Sequence, residues 1–321
     1  MMMRRAARRL ALLLLAGFVV LNALAYVHAR SFTTFATDGR RTPDPETMRF
    51  TQKLGVLLTG PTLPRPRIRE TPFNLDLAFE THHFRTSDGL TLEAWRIPLT
   101  PDIEPRGMVL LFHGYGDSKS SLLTEARVFH SMGYEPVLVD FRGSGGSEGD
   151  TTTIGYDEAE DVWTSVAYAG RWPGSRHLVV FGSSMGAAAV LRAAAIHDLP
   201  VDALILQAPF ASLTEAVEHR FQRLHAPSFP AAKMLVFWGG VQQGFDGLHH
   251  DPVRYAERVR VPVLLLHGAR DPLACLDEAR AIHAHLAGRK ELVVFPRASH
   301  QSLYRADRPR WRAAVTTFLA S

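Results

Sequence analysis

The stretch that most limits how this chain can fold is Leu178-Val179-Val180-Phe181-Gly182-Ser183-Ser184-Met185-Gly186-Ala187-Ala188-Ala189. An apolar, β-branched run ends in Gly-Ser-Ser-Met-Gly and passes at once into small residues suited to a helix. The pattern reads as strand, tight turn, helix, with a serine at the apex, the context in which G-x-S-x-G positions a nucleophile. Sterics choose between the two serines. A turn this sharp needs very small residues two before and two after its apex. Around Ser184 these are Gly182 and Gly186; around Ser183 they would be Phe181 and Met185. Ser184 is therefore the candidate nucleophile.

A serine hydroxyl is a weak nucleophile at neutral pH and needs a base, which in turn needs an orienting carboxylate. In open parallel sheets such groups collect at the C-terminal ends of strands. The remaining apolar runs at Met108–Phe112, Glu135–Val139, Ala203–Leu206, Val263–Leu266 and Leu292–Phe295 are continuous rather than alternating, as for parallel strands covered on both faces. Helical stretches fall near 118–131, 157–169, 185–196, 275–287 and 305–319, and residues 77–97 read as a hairpin turning at Ser87-Asp88-Gly89. Alternation of strand and helix implies a doubly wound α/β sheet. Asp271 is the first acid beyond the strand at 263, and His300 the first histidine beyond the strand at 292. The order Ser184, Asp271, His300 fits one sheet topology.

A developing oxyanion needs backbone N–H donors. Met185, at the start of the helix after Ser184, supplies one. Tyr115, in His113-Gly114-Tyr115-Gly116 after the first parallel strand, is the choice for the other. His113 reads as a pin for that loop rather than a base. With fifteen histidines in the chain, His82, His83, His249, His250, His283 and His285 read as surface or loop residues. The run 143–149 is rich in glycine, but a G-x-G-x-x-G started at Gly143 would place its third glycine on Glu148, so a dinucleotide site is rejected. No H-E-x-x-H occurs. The single cysteine, Cys275, allows no intramolecular disulfide and no cysteine-based metal site, and reads as a small buried residue.

These loops together resemble the α/β-hydrolase superfamily over residues 77–319. The resemblance rests on His113-Gly114-Tyr115-Gly116, Asp140-Phe141-Arg142-Gly143-Ser144-Gly145, Gly182-Ser183-Ser184-Met185-Gly186, Asp271 and His300. In detail the chain is similar to a membrane-associated esterase and acyl-thioesterase branch, often described as serine-aminopeptidase-like. The resemblance implies an eight-stranded sheet and no cofactor. One departure is Ala298, where glycine commonly stands two residues before the histidine.

About sixty residues separate the strands at 203 and 263, far more than a crossover needs. Residues 209–250 read as a helical cap inserted in the hydrolase domain. Leu213, Val217, Phe221 and Leu224 recur at helical spacing, and Phe210, Phe237 and Trp238 are candidates to line a substrate pocket.

Charge is unevenly placed. The chain of 321 residues carries a net +4, yet residues 1–30 hold five arginines and no acid, so the remainder is near neutral. No basic stripe with interleaved aromatics appears, which argues against a nucleic-acid partner. Arg4, Arg5, Arg8 and Arg9 precede an apolar run from Leu10 to Val27, just long enough to span a bilayer. The rival is a cleaved signal peptide with Ala23-Leu24-Ala25 as its cleavage site. Continuation of the apolar run past that site favours an anchor in the inner membrane. Both readings place the basic end in the cytoplasm and the rest in the periplasm or outside the cell. Residues 31–76 then form a linker. Asp44-Pro45-Glu46 is a good helix start; Met48, Leu54, Leu57 and Leu58 share one face, which either packs on the domain or lies on the membrane. Four prolines keep 61–72 extended.

The expectation is a serine hydrolase acting on acyl esters or thioesters, small molecules by class. Peptide hydrolysis or acyl transfer on the same triad stays open, as does a binding protein on a dead hydrolase fold.

Overall fold

Continuous apolar runs become strands buried on both faces. The strands are β1 (Glu80–Arg85), β2 (Thr91–Arg96), β3 (Gly107–Phe112), β4 (Tyr134–Val139), β5 (Leu178–Ser183), β6 (Ala203–Gln207), β7 (Val263–Gly268) and β8 (Lys290–Phe295). They form one eight-stranded sheet in the order β1-β2-β4-β3-β5-β6-β7-β8. β1 and β2 pair antiparallel, as do β2 and β4; every other pairing is parallel. The α/β-hydrolase fold is thus present, in a computed structural model that describes residues 2–43, 47–172 and 177–320.

The helices are α1 (Met2–Thr33), α2 (Phe50–Thr59), α3 (Leu123–Ser131), α4 (Glu158–Ala169), α5 (Met185–Ile196), α6 (Leu213–Arg223), α7 (Ala231–Gln243), α8 (Pro252–Ala256), α9 (Leu276–His285), α10 (Leu303–Ala306) and α11 (Arg308–Leu319). Successive strand residues serve opposite layers. Leu110 and Phe112 of β3 pack with Val162, Val190 and Ile282 from α4, α5 and α9. Val109 and Leu111 pack with Phe129, Trp311 and Val315 from α3 and α11 on the other face. The helix expected over 305–319 is split at Asp307, whose carboxylate accepts the Arg310 N–H at 3.1 Å and caps a new start.

The N-terminal region differs most from expectation. α1 is helical past residue 30, to Thr33. Its last third packs on α7: Ala25 and Ala29 are buried, Trp238 Nε1 donates to Asn22 Oδ1 at 3.2 Å, and Gln243 Nε2 donates to Thr33 Oγ1 at 3.1 Å. The chain then bridges to Thr151 and Pro64 and buries Phe35. Residues 31–36 are therefore docked on the domain. Asp44-Pro45-Glu46 lies outside the described residues. The following helix, α2, starts at Phe50, with the Gln52 side chain accepting the Arg49 N–H at 2.8 Å. Leu54, Leu57 and Leu58 are exposed, so this face does not pack on the domain.

Candidate active site

The turn between β5 and α5 holds Ser184 at φ 52° and ψ −114°, a conformation L-residues rarely adopt. The flanking glycines explain how it persists. A Cβ on Gly182 would lie 2.7 Å from the Gly186 carbonyl oxygen and 2.8 Å from Ala187 Cα. A Cβ on Gly186 would collide with the Phe112 and His113 carbonyls. Ser184 N–H donates to the Gln207 carbonyl at 2.8 Å, tying the turn to β6.

The candidate acid and base, Asp271 and His300, arrive from neighbouring strands. Gly268, at the end of β7, lies against the chain leaving β8; a Cβ there would lie 2.6 Å from the Ala298 carbonyl oxygen. The two loops therefore interlock through backbone. His300 Nε2 stands 3.0 Å from Ser184 Oγ, and His300 Nδ1 stands 2.7 Å from Asp271 Oδ2. The other carboxylate oxygen of Asp271 accepts N–H groups from Leu273 at 2.9 Å and Ala274 at 3.0 Å. Burial by itself would raise the pKa of Asp271, but His300 and the two backbone donors outweigh it and hold the carboxyl below its usual range. Ala298 is buried, and the departure from glycine does not disturb this arrangement.

The loop after β3 closes on Ser184, with the position of a Gly114 Cβ 3.5 Å from Ser184 Cβ. His113 is wholly buried; Nε2 accepts the Phe141 N–H at 3.1 Å and Nδ1 donates to the Gly114 carbonyl at 2.8 Å. Those partners require the neutral ring, and burial lowers its pKa. His113 thus pins the loop. Neither the Tyr115 N–H nor the Met185 N–H donates a hydrogen bond among the described residues. Tyr115 also makes a contact the sequence did not suggest: its hydroxyl donates to the Phe32 carbonyl at 2.7 Å, and its ring meets Phe35. Below the loop, buried Lys119 pairs with Asp140 and with Glu93 Oε1 at 2.6 Å. Arg142 pairs with Asp161 at 2.7 Å. These pairs account for the Asp140-Phe141-Arg142 segment as a support for the loops.

The cap places its aromatic residues differently from one another. Phe210 is buried with Ala188, Leu213, Ala216 and Ala274, beside the helix that follows Ser184. Trp238 instead turns toward α1 and packs edge-on against Tyr26 at 5.3 Å, while Phe237 is half exposed. The structure does not bring these two to Ser184, His300 and Asp271. On α6, one turn beyond Ala216, burial lowers the pKa of Arg220, and the charges of Tyr115 and Asp271 oppose that shift. Arg220 bonds the Ala216 carbonyl at 2.5 Å and forms no ion pair among the described residues.

Two other expectations change. Cys275 is partly exposed at the N-cap of α9 rather than buried. Ligand atoms of Cys275, His219 and Glu278 lie within 4.8 Å of one another, so the fold assembles a cysteine-containing group by supplying His219 from the cap. Glu278 is already engaged, accepting the N–H groups of Ala211 at 2.9 Å and Cys275 at 2.6 Å. His250 is not a surface residue. It is fully buried under the cap, with Nε2 3.1 Å from the Ile154 carbonyl oxygen and Nδ1 3.1 Å from the Tyr255 hydroxyl.

Burial drives the His250 pKa down to about 4. The unfolded chain, with an ordinary imidazole, binds this proton more readily. Stability contributed by neutral His250 is therefore complete above the unfolded pKa and is lost as pH falls toward 4, by up to about 3 kcal/mol. Thermal unfolding followed from pH 7.5 to pH 4.5 should show this loss, and His250→Asn should flatten the slope. An equally steep slope in the variant would assign the effect elsewhere.

Comparison with known proteins places this arrangement. The profile of the family described as "Serine aminopeptidase, S33" matches residues 103–252, and that of "PhoPQ-activated pathogenicity-related protein" matches residues 243–318. An uncharacterized protein of Bacillus subtilis, YqkD, is 25% identical over 214 residues, covering 66% of this chain and 70% of that one. A monoacylglycerol lipase of Mycolicibacterium smegmatis is 24% identical over 254 residues, 69% of this chain and 91% of the lipase. A Pyrococcus furiosus esterase structure superposes with a TM-score of 0.66 at 24% identity, covering 79% of this chain and 96% of the esterase. Sheet order and the superposed esterase agree on the α/β-hydrolase fold, and residues 103–252 are similar to the serine-aminopeptidase S33 family.

Proposed function

We propose that the protein is a serine hydrolase that cleaves acyl esters or thioesters through a Ser184–His300–Asp271 triad, held at a membrane by α1. The carrying observation is the chain of hydrogen bonds from Ser184 Oγ through His300 to Asp271. In this reading His300 takes the Ser184 proton as the hydroxyl attacks the acyl carbonyl, then returns it to the leaving group. Asp271 fixes the proton of His300 on Nδ1, leaving Nε2 free to act. The N–H groups of Tyr115 and Met185 receive the oxyanion. An acyl-enzyme forms, and water repeats the cycle. Phe210 lies near enough to line the acyl site; the contacts of Phe237 and Trp238 point to a different role. Lipase relatives favour ester over peptide substrates.

An anchor explains α1 better than a cleaved signal, because Ala25 lies inside the segment packed on α7. Cleavage after it would cut through an interface that buries Ala29 and engages Thr33.

The test is a series of acyl esters and thioesters of graded chain length, with aminoacyl anilides alongside. Each methylene buried should add up to about 0.8 kcal/mol, or about fourfold in kcat/KM, until the acyl site is full. A flat profile would remove the acyl site, and preference for the anilides would remove the esterase reading.

A further inference from the structure

α2 is a helix with no buried residue. Phe50, Leu54, Leu57 and Leu58, at positions i, i+4, i+7 and i+8, share one apolar side; Phe50 is 80% exposed and Leu58 58%. A stripe on α7 repeats the feature, where Phe237 and Val241 stand exposed behind Lys233. A shallow groove of about 360 Å³ continues it, lined by Phe237, Val241, Phe245 and Leu248 with Asp246 at its side, whose carboxylate pairs with His249. Apolar patches of this kind on one side of a molecule mark contact with a partner or a membrane.

Both helices adjoin α1. His28 Nε2 lies 2.9 Å from the Leu57 carbonyl oxygen, and Gly60 closes on Ser31 with no room for a side chain. Gln242 Nε2 donates to the Tyr26 carbonyl at 2.8 Å. Length fixes the consequence. Hydrocarbon about 30 Å thick takes about 20 helical residues at about 1.5 Å each. Counted from Leu10, the first residue past the arginines, the span ends near Ala29. Tyr26 and His28 are then still at membrane depth, and so are the parts of α7 and α2 that touch them. Charge agrees: between Thr47 and Arg69 the chain holds Arg49, Lys53, Arg67 and Arg69 and no acid, while Arg65 turns its guanidinium to the Gly149 and Ser147 carbonyls.

We infer that α2 and the exposed stripe of α7 are seated in the leaflet from which α1 emerges, so that the cap opens to the bilayer and the substrate is an amphiphile taken from it. The inference rests on the proposed anchor and esterase reading. It commits the surface to lipid rather than to a second copy of the chain. Basic residues beside an apolar face suit a leaflet containing anionic headgroups.

The experiment uses the full chain in nanodiscs of phosphatidylcholine and phosphatidylglycerol, some carrying a nitroxide on the acyl chain. In a Cys275→Ser background, single cysteines replace Leu14, Leu57, Val241 or Ile196 and are labelled with bimane. Each labelled protein must retain fluorophosphonate reactivity, which shows that it is folded. Leu14, Leu57 and Val241 labels should be quenched at least twofold by the nitroxide, and the Ile196 label, on the far end of α5, should not. Quenching at Leu14 with Leu57 and Val241 open to aqueous iodide overturns the inference and leaves the anchor standing. No quenching at Leu14 overturns both. Shielding of Leu57 and Val241 from nitroxide and iodide alike assigns the surface to a second copy and overturns the inference. As a second measurement, the triple variant Phe50→Ser, Leu57→Ser, Val241→Ser should turn over a long-chain ester in vesicles at least fivefold more slowly while a soluble short-chain ester is unaffected. Equal rates on vesicles would refute the seating.

Discussion

Ser184→Ala should abolish labelling by a fluorophosphonate and lower kcat/KM by about 10⁴-fold or more, the scale on which loss of a triad nucleophile acts. Ser183→Ala should label at the wild-type rate. The contrast between adjacent serines is the sharpest test of the site, because both are hydroxyls in the same turn. Only Ser184 has the strained backbone and a hydroxyl 3.0 Å from His300; Ser183 Oγ instead accepts from Gln207 Nε2 at 3.4 Å. Loss of a single oxygen atom should leave the melting temperature near that of wild type. Full labelling of Ser184→Ala would sink the triad.

The second large effect is expected of Asp271→Asn, about 10⁴-fold in kcat with the fold intact. The direction follows from the hydrogen bonds around the carboxylate. Two backbone N–H groups, from Leu273 and Ala274, point at Oδ1. In the variant the amide oxygen must stay there, so the amide NH₂ is turned toward His300 Nδ1. That nitrogen must then accept, which moves the imidazole proton to Nε2, the atom facing Ser184. A protonated Nε2 takes no proton from the serine. Substrate binding should change little, so the loss belongs in kcat rather than KM. The measurement is steady-state kinetics on a short soluble ester with circular dichroism as the folding control. A variant within tenfold of wild type would show that Asp271 does not orient the base. With its pKa held low, wild-type Asp271 stays charged through the neutral range.

Why the proposed triad is legible in the sequence is clear from the residues that carry it. Gly182 and Gly186 are forced by local sterics, and local sterics are written in consecutive residues. Asp271 and His300 were found because parallel strands announce themselves as apolar runs and site residues follow their ends. The role of His113 was readable for the same reason. What escaped notice depends on contacts between distant segments. Nothing around Lys119 marks it as buried, since its partners Glu93 and Asp140 lie 26 and 21 positions away. His250 looked like a loop residue because the carbonyl of Ile154 that receives it is 96 positions earlier. Phe237 and Trp238 were recognisable as apolar cap residues, but helical spacing does not say which neighbour an apolar face meets. For Trp238 that neighbour is α1, and Phe237 stands half exposed.

The hydrogen bond from the Tyr115 hydroxyl to the Phe32 carbonyl has an architectural meaning. On the proposed reading, the first helix is a wall of the reaction chamber as well as a leash. The loop that faces Ser184 leans on its last turn, and Phe35, just beyond, fills the space behind Tyr115. A cut between Phe32 and Phe35 takes that carbonyl away and leaves the Tyr115 hydroxyl without its acceptor, a loss on the order of 1–3 kcal/mol concentrated on the loop that faces Ser184. On the proposed anchored reading, a cut there makes release and loss of the loop's support a single event, whereas a cut upstream of Phe32 releases the domain with that support in place.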